Sequence, residues 1–105
     1  MVSRRYLLVA ATLALVMSSG AQAETIQVTI KELAFAPADI HAKVGDTVKW
    51  VNMDAVAHSA TTKGGWDVTI PPNKTASAVM KKAGEINYHC RFHPNMTGHI
   101  TVTAP

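Results

Sequence analysis

Beyond position 24 the apolar residues of this chain recur at every second position, and no stretch of ten holds a helical period. Ile26, Val28 and Ile30 alternate with Gln27 and Thr29. Ile40, Ala42 and Val44 repeat the pattern before a Gly45-Asp46 turn, and Val48 and Trp50 share one face of Thr47 to Asn52. Met53 to Ala57 reads as a loop, followed by a strand through His58 to Thr62. Gly64-Gly65 breaks the chain, Trp66 to Ile70 forms a short strand, and Pro71-Pro72-Asn73 turns again. Thr75 to Met80, Ile86 to Cys90 and Gly98 to Thr103 complete the set. Short strands at turn-punctuated spacing predict an all-β fold, a Greek-key β-sandwich in a single domain. No internal repeat, low-complexity tract or linker divides it.

The first 23 residues do not share this pattern. Arg4 and Arg5 precede a nearly unbroken apolar run from Tyr6 to Met17, and Ala21-Gln22-Ala23 offers small residues to a signal peptidase. The run is too short and wrongly flanked for a membrane span, so residues 1–23 read as a secretory signal and residues 24–105 as the mature domain. Ser3-Arg4-Arg5 fits the twin-arginine route, although any positive leader carries such a pair. Removing Arg4 and Arg5 from the ten Lys/Arg leaves eight against seven Asp/Glu, a net charge of +1 with neutral histidines. No basic run remains to suggest nucleic acid, and no basic amphipathic helix suggests a membrane surface once the leader is gone. The expected compartment is the periplasm.

A chain this short gains from a covalent or metal staple. It has one cysteine, which rules out an internal disulfide and leaves a metal. Cys90, His93 and Met96 stand at C-x2-H-x2-M spacing, in what reads as the loop between the last two strands. Thiolate, imidazole and thioether form a soft donor set that selects copper, and structural zinc prefers four Cys or His ligands. Two histidines and a cysteine with a distant axial methionine make the blue-copper arrangement, so one more histidine is needed. Strand alternation turns His41, His89 and His99 away from the core. His58, at the end of the Ala55-Val56-Ala57 loop, remains.

At these residues the chain resembles the cupredoxins, and among them the amicyanin and plastocyanin-like group, from about Ile26 to Val102. Asp46-Thr47-Val48-Lys49-Trp50-Val51-Asn52 is similar to the family's strand before the first histidine. Ala83-Gly84 through Tyr88-His89-Cys90 and His93-Pro94 to Met96 is similar to its short ligand loop. The resemblance implies one copper ion, with His58, Cys90 and His93 as equatorial ligands and Met96 as the axial one. It departs at Ser59, where the family usually carries an Asn that ties the two ligand loops together. A serine there is expected to hold them less tightly.

The function expected is single-electron transfer between transient redox partners, by a monomer that is not an enzyme. By the same analogy the donor is a dehydrogenase and the acceptor a c-type cytochrome. Pro94 restricts His93 to extended backbone, which suits a rigid site. His93, with Phe92, Pro94 and Met96 around it, is the expected exit for the electron. The competing reading is a copper carrier or buffer, which needs the same four ligands.

Overall fold

The period-two alternation becomes nine strands in the computed structural model, which describes residues 22–105. These are β1 (Thr25–Lys31), β2 (Ala34–Ala36), β3 (Asp39–Lys43), β4 (Thr47–Asn52), β5 (His58–Thr61), β6 (Asp67–Ile70), β7 (Thr75–Val79), β8 (Gly84–Cys90) and β9 (His93–Thr103). Among the described residues there is no helix. The leader expected over residues 1–23 lies outside the described residues except for Gln22 and Ala23.

The strands form two sheets, ordered β2-β1-β4-β7 and β3-β9-β8-β5-β6. Most neighbours run antiparallel, but β1 pairs with β4 and β3 with β9 in parallel. Parallel neighbours cannot be joined by a tight turn, so the chain crosses from one sheet to the other between them. The result is the expected all-β sandwich, built as one domain. Alternation explains the core: Val28, Ile30, Val48, Trp50, Ile70 and Ile100 are wholly buried between the sheets.

Tyr88 sits at the centre of this core. Its ring meets Phe35 edge-on at 4.7 Å and Trp50 at 5.6 Å, and the Trp50 indole N–H donates to its hydroxyl at 3.2 Å. Tyr88 pairs across the ladder with Gly98, where an added Cβ would lie 2.4 Å from the ring. Only a glycine leaves room for the tyrosine there. Burial pushes the phenol up to about 12, opposed in part by the Trp50 hydrogen bond, so it stays protonated.

Two elements depart from the sequence reading. β2 is a three-residue strand around Phe35, too short to show alternation. β9 begins at His93 rather than Gly98, because Cys90 pairs with His93 across a turn of only Arg91 and Phe92. The ladder is then interrupted, resuming at His89 opposite Thr97, so Pro94, Asn95 and Met96 bulge out of it.

Candidate metal centre

The site follows from strand direction. His58 opens β5, Cys90 closes β8 and His93 opens β9. β8 runs antiparallel to both neighbours, so these three strand ends meet at one end of the five-stranded sheet. The Cys90 Sγ lies 3.7 Å from the Nδ1 of His58 and 3.7 Å from the Nδ1 of His93. All three donor atoms fall within 4.8 Å of one another. A metal bonded to sulfur at about 2.3 Å and to nitrogen at about 2.0 Å, at a trigonal angle, separates those two atoms by about 3.7 Å. The donor atoms are therefore already spaced for an ion between them. His58 and Cys90 are completely buried, while His93 is half-buried.

Each buried donor has a fixed partner. The Nε2 of His58 lies 2.8 Å from the Asp54 carboxylate, a pairing that places the ring proton on Nε2 and leaves the Nδ1 lone pair toward Cys90. Asp54 is itself held by the backbone N–H groups of Glu32 at 2.8 Å and Leu33 at 3.1 Å. The Leu33 hydrogen bond foremost, with those of Glu32 and His58, holds its carboxyl below the ordinary range against the opposing effect of burial. Glu32 and Leu33 form the two-residue turn between β1 and β2, both at positive φ (53° and 60°). Such a turn favours Asn or Gly, and neither is present. The two hydrogen bonds to Asp54 help to hold the turn. Beneath the loop the buried Asn52 side chain donates to the carbonyls of Val56, Ile70 and Pro71 and accepts from the Asp54 N–H. The Ser59 N–H points at the Cys90 sulfur from 3.3 Å and so fixes its position between the two imidazoles.

The cupredoxin-like domain family matches residues 5–102, nearly the whole chain. The chain belongs to the cupredoxins. Amicyanin from Paracoccus denitrificans is 32% identical over 87 residues, 73% of this chain and 64% of that protein, so the match spans just under two thirds of amicyanin. Amicyanin-alpha from Methylorubrum extorquens is 32% identical over 78% of this chain and 75% of its own length. The methylamine utilization protein MauL of the same organism is 32% identical, with 80% and 78% covered. Among solved structures, a reduced amicyanin variant superposes with a TM-score of 0.68 at 32% identity, covering 74% of this chain and 81% of that one. A Cu(I) amicyanin variant gives 0.70 at 29%, with the same coverage. The cofactor of this cupredoxin is accordingly one type 1 copper ion.

The structure of this cupredoxin brings together three of the four sequence-predicted residues, His58, Cys90 and His93. Met96 is buried on β9 beside them in the chain, at 4% exposure. It therefore adds nothing to the apolar surface around His93, contrary to expectation; Phe92, at 50% exposure, does. His41 is exposed, His89 and His99 are half-buried, and none joins the cluster. Ser59 links the two segments directly: its hydroxyl accepts from the Arg91 N–H at 2.8 Å and is bonded to Thr61. Asp54 and Asn52 escaped the sequence reading. A carboxylate four residues before a ligand histidine was the available signal for Asp54.

Proposed function

We propose that this protein is an exported, periplasmic carrier of single electrons, with a copper ion that His58, Cys90, His93 and Met96 would hold. The observation that carries the reading is the convergence of the two Nδ1 atoms on one buried sulfur, each at 3.7 Å. Bound copper supplies a one-electron change between Cu(II) and Cu(I). The protein's part is to keep the donors still through that change. Asp54 fixes the His58 ring, the Ser59 N–H steadies the Cys90 sulfur, and the sandwich excludes water from both. With four protein donors no position is left open for a substrate, so the reading is not that of an enzyme.

His93 is the half-buried donor, and the segments that meet there expose Met53, Val56 and Phe92, each about half accessible. This apolar rim suits brief docking of redox proteins. Similarity to amicyanin and to a methylamine utilization protein supports an amine-oxidising dehydrogenase as donor, and a c-type cytochrome as acceptor is an analogy.

Voltammetry of the copper-loaded protein with a Cu(I) chelator present tests the proposal. A reversible one-electron wave that persists with copper retained is expected. Met96→Leu should keep the metal and raise the potential, as loss of a weak axial donor does. Transfer of copper to the chelator upon reduction would instead identify a metal carrier.

A further inference from the structure

The end of the sandwich away from the copper ligands carries a groove that the copper site does not use. It has a volume of about 580 Å³ and lies between the β5–β6 turn (Thr62 to Trp66) and the β7–β8 connection with its flanks (Ala78 to Ile86). Cys90 is four residues beyond Ile86 on β8, so about 14 Å separates the two ends. Lys63, Lys81 and Lys82 stand exposed on its rim. None of them makes an ion pair among the described residues. The one carboxylate of the lining, Glu85, is turned to β9, where it meets His99 Nε2 at 2.9 Å and Thr101 Oγ1 at 3.0 Å. In a domain with a net charge of only +1, this rim concentrates unpaired positive charge.

The wall of the groove is Trp66, half-buried and so open to a visitor. Its ring lies 5.4 Å from Trp50 and 5.7 Å from Tyr88, centroid to centroid. Tyr88 precedes Cys90 by two residues on β8, about 7 Å along the strand. Aromatic contact is thus continuous from the cationic groove to the strand that carries the sulfur ligand.

We propose that this groove is a second docking surface, which receives the acidic face of a redox protein and passes its electron through Trp66 and Tyr88 to the Cys90 side of the copper site. The proposal rests on the reading of the protein as an electron carrier. The partner is oxidised by one electron and the copper is reduced by one. No bond is made or broken, and no proton moves. Carboxylates of the partner meet the three lysines, and exposed charges of this kind act mainly on encounter rate and weaken with salt. The apolar rim at His93 serves the other partner, so donor and acceptor need not compete for one surface.

Hexaglutamate serves as the acidic probe. The nitrogen-15-labelled Cu(I) protein is titrated with it at low and at high salt. Shifts should appear at the Trp66 indole and at the Lys81 and Lys82 amides, and vanish at high salt. They should also vanish in a variant combining Lys63→Glu, Lys81→Glu and Lys82→Glu. Shifts confined to Phe92 and His93, or none, overturn the docking surface. Stopped-flow reduction of the Cu(II) protein by hexacyanoferrate(II), an anionic reagent, tests the route. The triple variant and the charge-neutral Trp66→Leu should each slow it by about tenfold, at the low end of what interface changes do to association rates. Oxidation of the Cu(I) protein by tris(phenanthroline)cobalt(III), a cationic reagent with no affinity for the lysines, should not slow. An unchanged hexacyanoferrate rate in both variants overturns the second port while leaving the carrier reading intact. Failure of the unmodified protein to react with either reagent overturns the carrier reading itself.

Discussion

The two segments that meet at the proposed copper site are built differently. The upstream segment, Asn52 to Ser59, is tied to three other parts of the chain: Asp54 to the β1–β2 turn, Asn52 to the end of β6, and Ser59 to Cys90 and Arg91. Its histidine is fully buried. The downstream segment, Arg91 to Met96, is anchored at its first residue, where Arg91 bonds Ser59, Asp67 and Thr69, and makes a ladder pair at His93 before Pro94, Asn95 and Met96 bulge away. Its histidine is half-open to solvent, beside an exposed Phe92 stacked under the Arg91 guanidinium at 4.8 Å. In the proposed site, one segment would hold the metal still and the other would present it. A site that must be rigid and yet reachable divides the two tasks between its histidines.

The most drastic way to break this comparison is to remove the atom common to both segments. Cys90→Ser should abolish the intense thiolate-to-copper charge-transfer colour altogether, as read by optical absorption of the copper-loaded protein. A variant that stays blue would refute the ligand set. Next in size is the loss of the upstream anchor. Asp54→Ala should weaken copper binding by about 10- to 100-fold, the usual consequence of removing the partner of a ligand histidine. Asp54→Asn, which keeps an acceptor for the His58 N–H, should lose less. A competitive chelator titration measures both, and equal losses would show that charge rather than orientation is at work.

Acid separates scaffold from site. Asp46, buried at the far end of the sandwich, accepts the N–H of Glu24 at 2.9 Å and of Lys43 at 2.8 Å. Those bonds, that of Glu24 foremost, lower its pKa from the ordinary 3.8. A carboxylate depressed in the folded state contributes stability that is complete above its unfolded value and is lost as pH falls through the folded one. Stability should therefore decline below about pH 4, and Asp46→Asn should flatten that decline while leaving the optical spectrum of the copper form unchanged. Urea unfolding across pH 2–5 is the measurement, the interval that brackets an ordinary aspartate pKa of about 3.9; an undiminished slope in the variant would place the acid sensitivity elsewhere. The smallest expected effect is none. His41→Ala, His89→Ala and His99→Ala should each leave the copper spectrum as it is, and a changed spectrum in any of them would overturn the parity argument that set them aside.

Most of the fold was legible because period-two alternation is a direct record of which face is buried. It served well wherever one face met the core, from Ile26–Ile30 to Ile100–Val102. It failed at β2, where three residues flanking Phe35 are too few to alternate, and at His93 to Thr97, where pairing and bulging are decided by the partner strand. The three converging donors were legible through residue type and spacing. Two of their supports were not, since Asp54 and Asn52 act through hydrogen bonds to residues 18 to 22 positions away, whereas position 59 was marked by the family resemblance. Short polar side chains carry no periodic mark of such reach.

The two-residue turn and the three-residue bulge that follows it give this ligand hairpin two independent lengths. Arg91-Phe92 works as a caliper, since it alone sets how far the His93 ring stands from the Cys90 sulfur. Pro94, Asn95 and Met96 work as slack, because they lie outside the ladder, which re-engages at Thr97. Lengthening the slack would move the thioether and spare the plane of donors. Lengthening the caliper by one residue would turn the imidazole to the opposite face, as any one-residue slip in a strand does. Variation among proteins built on this hairpin should therefore collect in the slack, where a potential can be retuned without dismantling the site.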